Sequence, residues 1–193
     1  ANYKNSFTNR GVYNAYDVTA PDSLAQRFAR LEEANQLEAG VKVNALGGRL
    51  TTTLSYYDIR VTNLLRTDPN PLAAARFAQT QDGTQLSRGV ELDVIANPFT
   101  GFNVVAGFAY NDSRLTNADA DVNGRRPTTA SSPVLANLWL SYRLPNTRLK
   151  GLGFGVGGNY ASENKIQNSI SQGVFRLPAY TVLNASVFYT VNK

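Results

Sequence analysis

The strand-like segments of this chain are joined by connectors that alternate between tight and long. Period-2 alternation of apolar and polar residues marks eight candidate strands, at residues 1–7, 36–44, 49–62, 90–96, 102–110, 134–144, 152–160 and 180–191. The tight connectors are residues 45–48, 97–101 and 145–150, and the long ones are residues 8–35, 64–86, 112–132 and 162–177. If consecutive strands pair antiparallel, every tight turn lies at one end of the sheet and every long loop at the other.

This asymmetry favours one all-β architecture over another. A soluble sandwich turns its apolar face inward, whereas a membrane barrel turns that face to lipid and keeps a polar lumen. Alternation alone permits both arrangements. Short periplasmic turns with long extracellular loops are typical of outer-membrane barrels, so we expect antiparallel transmembrane β-barrel strands. Tyrosines near strand ends suit the aromatic girdles of such a barrel, and they are Tyr110, Tyr142, Tyr160, Tyr180 and Tyr189.

Composition excludes several classes of function. The chain has no His and no Cys, so Ser-His-Asp catalysis, thiolate metal sites and disulfides are ruled out, and we expect no enzyme. The net charge is +5, but the Lys and Arg residues are scattered, which argues against nucleic-acid binding. The chain begins at Ala1 and lacks Met, so we expect a processed chain or a piece of a longer one.

Two features bear on how the strands assemble. In residues 49–62 the apolar parity changes at Tyr56-Tyr57, which predicts either a β-bulge or a strand that continues beyond the bilayer. Eight strands suffice for a small closed barrel, but the chain ends at Asn192-Lys193, where a tight turn is due. Because a membrane does not tolerate unpaired strand edges, we expect a segment of a larger barrel.

Short motifs in a fixed order connect the chain to a known family. In chain order they are Glu32-Glu33 with residues 36–42, Gly48-Arg49-Leu50, residues 57–64, residues 87–93, Asn111-Asp112-Ser113, Arg126-Pro127 with Pro133 and residues 136–139, and residues 177–182. Together they resemble the barrel of TonB-dependent siderophore receptors.

The resemblance implies a structure larger than this chain. It implies a 22-stranded barrel of which this chain forms about eight strands, a plug domain and closing strands outside residues 1–193, and coupling to the TonB complex. It further implies the bacterial outer membrane with its lipid and lipopolysaccharide as surroundings, and an iron–siderophore complex as the transported ligand. The alternatives are a receptor for cobalamin or another metal chelate, a passive porin or small barrel, and a soluble β-sandwich binding module.

Candidate ligand contacts are aromatic and Arg side chains of the long loops. They are Tyr13, Tyr16, Phe77, Arg125 and Arg126, and the last two are expected to attract an anionic chelate. Charged residues expected to face the lumen or the plug are Glu91, Asp93 and Arg143, with Arg143 available to pair with acidic groups.

Two motifs point to sites that their context does not support. Gly153, Gly155 and Gly158 spell G-x-G-x-x-G, but they lie inside a strand pattern rather than between a strand and a helix, so glycines facing a crowded lumen are expected. Asp119, Asp121 and Asn123 match the first half of a calcium loop. The twelfth position, which should be Glu, is Ala130, so a polar loop is expected.

Overall fold

A computed structural model describes residues 2–8, 31–67, 79–81, 83–145 and 148–190. The strands in it are β1 Asn2–Thr8, β2 Glu32–Ala45, β3 Leu50–Thr62, β4 Leu65–Thr67, β5 Gln79–Gln81, β6 Thr84–Ala96, β7 Phe102–Thr116, β8 Val134–Arg143, β9 Leu152–Ala161, β10 Asn164–Asn168, β11 Val174–Leu177 and β12 Tyr180–Tyr189. No helix in this described part is long and apolar enough to cross a membrane.

The eight long strands form one antiparallel sheet in the order β1-β2-β3-β6-β7-β8-β9-β12. Each strand pairs with the next long strand of the chain, so the predicted meander of eight strands is confirmed. The tight turns lie at one end, and each contains a glycine with positive φ shortly before the next strand begins, namely Gly48, Gly101 and Gly151. Glycine adopts such φ values without steric cost, which explains why glycine occupies these three positions.

Several strands are longer than the alternation predicts. β6 begins at Thr84 rather than Val90, and β7 continues to Thr116 rather than ending at Tyr110. In these extensions both faces carry polar side chains, such as Ser87 beside Arg88, so the apolar signal fades while the hydrogen-bonded ladder continues. The long connectors also contain two small hairpins that the sequence did not reveal, β4–β5 and β10–β11.

The two faces of the sheet differ in chemistry. We call the face that carries Leu54, Val90 and Leu138 the outer face, and the face that carries Ser55, Glu91 and Asn137 the inner face. The outer face exposes large apolar side chains, with Leu54 52%, Val187 70% and Leu183 79% accessible. Among the described residues the only buried hydrophobic side chains are those of Ala161 and Pro127. A sheet that leaves its apolar face uncovered has the surface expected for contact with lipid, not that of a soluble sandwich.

Aromatic rings border the apolar band of the outer face. Tyr56 and Tyr110 are each in register with Val90 at the loop end, and Tyr160 lies opposite Ala136. At the turn end Tyr142 lies between Phe102 and Phe154, and the ring of Phe99 stacks on that of Phe102 at 5.0 Å. The predicted girdle is therefore present, except that Tyr180 was wrongly included. Tyr180 is in register with Ala161, which lies opposite Leu135 on the inner face.

The parity change in β3 comes from strand extension and not from a bulge. β3 pairs without a register shift with β2 and with β6, so the predicted bulge at Tyr56-Tyr57 was wrong. Beyond Tyr56 the outer face carries charged side chains instead of apolar ones. They form two ion pairs, Asp58 with Arg88 at 2.8 Å and Asp112 with Arg114 at 2.9 Å. The apolar band ends here, and Tyr57, on the other parity, faces inward.

Candidate ligand-binding site under the long loops

A cavity of about 440 Å³ lies on the inner face near its loop end. We call it the loop-side pocket. Its walls are inward side chains of β2, β3, β6, β7 and β8, and its roof is residues 130–133 of the β7–β8 loop. The wall side chains are mostly uncharged and polar, and they include Gln36, Ser55, Tyr57, Gln85, Ser87, Asn111 and Ser113. A wall of this kind offers many hydrogen-bonding groups to a polar ligand.

Asn111 is the centre of the hydrogen-bond network of the pocket. Its side-chain amide donates to the phenol oxygen of Tyr57 at 2.8 Å, and its Oδ1 accepts from the Ser113 hydroxyl at 2.6 Å. The hydroxyls of Ser113 and Ser87 are 2.8 Å apart, which extends the network to β6. Three neighbouring strands are thus linked by side chains as well as by their ladders, and the network holds the pocket wall in one arrangement.

The ring of Tyr57 lies flat against the sheet because its register partner on β6 is Gly89. A Cβ at Gly89 would collide with the Tyr57 ring and with the carbonyl oxygen of Tyr110. The phenol oxygen accepts its hydrogen bond from Asn111. A hydroxyl both accepts and donates, so its own proton is free for an acceptor in the pocket.

Arg126 holds the roof of the pocket in place. Its guanidinium donates to the backbone oxygen and the Oδ1 of Asn111, at 2.9 and 3.0 Å, and to the backbone oxygen of Ser131 at 2.6 Å. Burial lowers the pKa of Arg126 from its ordinary value, but a guanidinium titrates so far above neutrality that it stays charged. The geometry gives Arg126 a positioning role, and its contact with a ligand stays a prediction.

A second loop is fastened to the first one. Arg125 donates to the Oδ1 of Asn168 at 3.2 Å, and the amide of Asn168 donates to the backbone oxygen of Arg126 at 2.9 Å. The carboxylate of Asp121 accepts from the backbone N–H of Ser171 at 2.6 Å and from its hydroxyl at 3.1 Å. We call these contacts the loop clasp. It connects the β7–β8 loop, which forms the roof of the pocket, to the hairpin β10–β11 beside it.

The clasp also accounts for the calcium-like motif. Asp119 accepts the backbone N–H of Asp121 at 2.8 Å, and the side-chain oxygen of Asn123 lies 3.5 Å from the backbone nitrogen of Ala118. Asp121 is turned to Ser171. In the described part of the chain no three His, Cys, Asp or Glu side chains are grouped to hold a metal ion. The motif therefore folds as a turn whose central carboxylate receives N–H and O–H donors.

We expect the loop clasp to weaken in acid through Asp121. The Ser171 backbone N–H, and less strongly its hydroxyl, hold the pKa of Asp121 below its usual range. A carboxyl group with a lowered pKa stabilises the folded loops above the ordinary value near about 4, and that contribution is lost as the pH falls through the lowered pKa. The protection factor of the Ser171 amide in the full-length protein, which is its exchange relative to the intrinsic rate at the same pH, should therefore fall on acidification.

Asp121→Asn provides the matched test. It should raise the exchange rate of the Ser171 amide at neutral pH on the order of tenfold, because a charge-assisted hydrogen bond becomes a neutral one. The variant should also lose the acid dependence of the protection factor. Glu163→Gln, which alters an exposed ion pair with Arg176 in the same hairpin, serves as the control. Unchanged exchange in Asp121→Asn would contradict a role for the carboxylate.

The other sequence-predicted residues are dispersed. Glu91 lines the loop-side pocket, and Asp93 lies further toward the turns on the same strand and face. Arg143 lines a different inner-face cavity, at the turn end with Arg49. Strand β7 separates Arg143 from β6, and Asp93 is level with Asn137 rather than with Arg143. Among the described residues Arg143 therefore forms no ion pair with Glu91 or Asp93, and its pairing with a plug stays a prediction. Tyr13, Tyr16 and Phe77 lie outside the described residues.

Tyr57 and Asn111 are pocket residues that the sequence-based search for a site did not select. Both lie on the inward parity of their strands, and both belong to motifs of the family resemblance. The parity change at Tyr56-Tyr57 was the available signal, because an aromatic residue that leaves the apolar face enters the lumen. The strand register could not be read from the sequence. In that register Gly89 lies between Tyr57 on β3 and Asn111 on β7.

The chain matches a known protein family over its entire length. A family model described as "TonB dependent receptor-like, beta-barrel" matches residues 1–193. The ferrichrome outer membrane transporter/phage receptor of Escherichia coli is 30% identical over 161 residues, which cover 83% of this chain and 20% of that protein. The ferrioxamine B receptor of Salmonella typhimurium is 29% identical over 185 residues, covering 94% of this chain and 25% of the receptor.

Solved structures agree on the fold. The ferripyoverdine receptor of the Pseudomonas aeruginosa outer membrane superimposes with a TM-score of 0.73 at 20% identity, covering 98% of this chain and 24% of that one. The ferric-catecholate import receptor Fiu of Escherichia coli gives 0.72 at 20% identity, covering 99% and 26%. This chain thus spans about a fifth to a quarter of the proteins that it matches. The chain belongs to the TonB-dependent receptors and is a segment of their outer-membrane β-barrel.

Proposed function

We propose that the complete protein carrying this chain takes up ferric siderophores through the outer membrane. The observation that carries this proposal is the loop-side pocket, a polar cavity on the inner face directly beneath the long loops. A ligand arriving from outside meets the loops first and the pocket next. The receptors for ferrichrome and ferrioxamine B among the relatives support an iron chelate as the ligand.

The proposal includes parts outside this chain. A plug domain and the closing strands of a barrel of about 22 strands, the usual size for plugged outer-membrane transporters, would complete the wall that β1 and β12 leave open. Coupling to TonB would act through the plug. An isolated sheet could neither transport a ligand nor couple to TonB, because an open strand edge in lipid leaves backbone groups without hydrogen-bond partners.

We also propose the outer-membrane lipid and lipopolysaccharide as the surroundings of the outer face. The apolar band between the two aromatic borders fits the hydrocarbon layer. The charged side chains beyond Tyr56 and Tyr110, which include Arg88 and Arg114, lie where the charged head groups of the outer leaflet would be. Exposed arginines at this level suit phosphate groups.

Iron uptake in a strain that lacks its other siderophore receptors tests the transport proposal. With the full-length protein present, we expect radioactive iron supplied as ferrichrome or ferrioxamine B to accumulate, and we expect deletion of tonB to reduce accumulation to background. A passive porin would pass a small chelate equally well without TonB. Uptake that persists in the tonB deletion, or uptake of cobalamin instead of ferric chelates, would overturn the proposal.

A further inference from the structure

We propose that the loop-side pocket selects ferric chelates that are neutral or positively charged and disfavours polyanionic ones. This inference rests on the proposed function, since it assigns a ligand class to the same pocket. It also reverses the sequence-based expectation that Arg125 and Arg126 capture an anionic chelate. The charged side chains that line the pocket are acidic, and both arginines are engaged with neighbouring loop groups.

The charged side chains that line the pocket are both acidic. Glu38 on β2 and Glu91 on β6 reach it, and no Lys or Arg does. Glu38 accepts a hydrogen bond from the amide of Gln36 at 3.3 Å, which leaves its charge unneutralised. None of the ion pairs between described residues includes Glu38 or Glu91. The wall therefore presents two uncompensated negative charges to a ligand.

The surroundings of the pocket do not reverse this sign. Around the pocket the inner face adds one more carboxylate, Asp93, and two cations, Lys42 toward the turn end and Lys4 opposite Gln36 on β1. Among the described residues neither Lys forms an ion pair with Glu38 or Glu91. Arg126 is the nearest Arg above, and its guanidinium is turned to Asn111 and to the backbone of Ser131. Arg125 is directed away to Asn168 in the neighbouring hairpin. An anion in the pocket would meet carboxylates, while both candidate arginines hold loops together.

The neutral groups of the pocket suit a chelate rich in carbonyl and amide groups. The phenol proton of Tyr57 is free to donate, because the phenol oxygen accepts from Asn111. The side-chain amides of Gln36 and Gln85 offer both donors and acceptors. Three hydroxamate groups neutralise ferric iron, and a pendant ammonium adds one positive charge, whereas a ferric tris-catecholate is a trianion. The first two kinds of complex match this wall, and the trianion is repelled by it.

Ferrioxamine B and its N-acetylated form are a suitable pair of probes, since acetylation removes the ammonium charge and retains the ferric trihydroxamate. We expect the purified full-length protein to bind both, and to bind a ferric tris-catecholate at least about tenfold more weakly. Glu91→Gln should weaken ferrioxamine B about fivefold and change the acetylated form less than about twofold. Glu33→Gln, on the outer face of β2, is the control and should change neither.

The possible outcomes separate the two proposals. Tighter binding of the tris-catecholate than of either hydroxamate overturns the charge selection and leaves siderophore transport standing. Equal losses for both hydroxamates in Glu91→Gln assign that residue a structural role and also overturn the selection. If none of the three chelates binds, the transport proposal itself fails. Preference for the hydroxamates together with a charge-specific loss in Glu91→Gln supports the inference.

Discussion

Replacing Leu138 with Arg is expected to prevent stable insertion of the barrel, whereas the same change at the adjacent Asn137 is expected to be tolerated. Leu138 is at the centre of β8, midway between Val134 and Tyr142 on the outer face, and 45% of it is accessible. An Arg at the lipid midplane of a membrane barrel costs about 2–4 kcal/mol. That corresponds to roughly a 30- to 900-fold loss in the folding equilibrium.

Asn137 provides a matched control because one residue along a strand changes the face. Its side chain lies on the inner face, beside Gly107. An Arg there remains in a polar lumen, where substitutions change selectivity more than stability. Folding of the full-length protein into lipid vesicles, followed by heat-dependent gel mobility and denaturant titration, measures both variants. Equal destabilisation, or a larger effect at Asn137, would show that the faces are assigned the wrong way round.

The strands could be predicted where one face meets lipid and the other meets the lumen. β9 is an example, since Leu152, Phe154, Val156 and Tyr160 alternate with glycines and Asn159, and the expected bounds differ from Leu152–Ala161 by one residue. The start of β6 could not be predicted, because above the apolar band both of its faces are polar. The signal read from the sequence is burial in lipid, and strands continue beyond the region where it applies.

The inner position of the charged candidates could also be predicted, but the loop contacts could not. Glu91 and Asp93 follow the strand period, which places them on the inner face without further information. Asp121 meets Ser171 across 50 residues of chain, through loops whose paths depend on hydrogen bonds rather than on periodicity. For the same reason the loop contacts of the two candidate arginines could not be predicted, namely those of Arg125 with Asn168 and of Arg126 with the backbone of Ser131.

Several glycines of β9 lie beneath aromatic rings of the neighbouring strands. Trp139 on β8 is in register with Gly157, and its ring extends over Gly155 and Gly157 on the inner face. A Cβ at Gly157 would be 2.6 Å from a carbon of the indole ring and would collide with the carbonyl oxygen of Leu138. The formal G-x-G-x-x-G pattern is thus explained at Gly155 by packing of aromatic rings, as it is at Gly153 by the ring of Phe188, while Gly158 lies on the outer face.

We expect Gly157→Leu to destabilise the barrel by about 1–3 kcal/mol, the usual range for overpacking. The new side chain would overlap both the indole ring of Trp139 and the carbonyl oxygen of Leu138. Val156→Leu places the same side chain one residue earlier, on the exposed outer face, and should be nearly neutral. Denaturant unfolding of the full-length protein in vesicles measures the difference. A neutral Gly157→Leu would show that β8 and β9 are not as close as described.

A double-mutant cycle can separate the indole ring from the backbone as the cause. Gly157→Ala alone should destabilise, and Trp139→Ala alone should remove the packing of the ring. If the ring is the main obstacle, the combined variant should be more stable than the sum of the single effects by about 0.5–3 kcal/mol, as is found for residues in contact. Strict additivity would assign the penalty to the Leu138 carbonyl, and the glycine would then be required by strand pairing and not by Trp139.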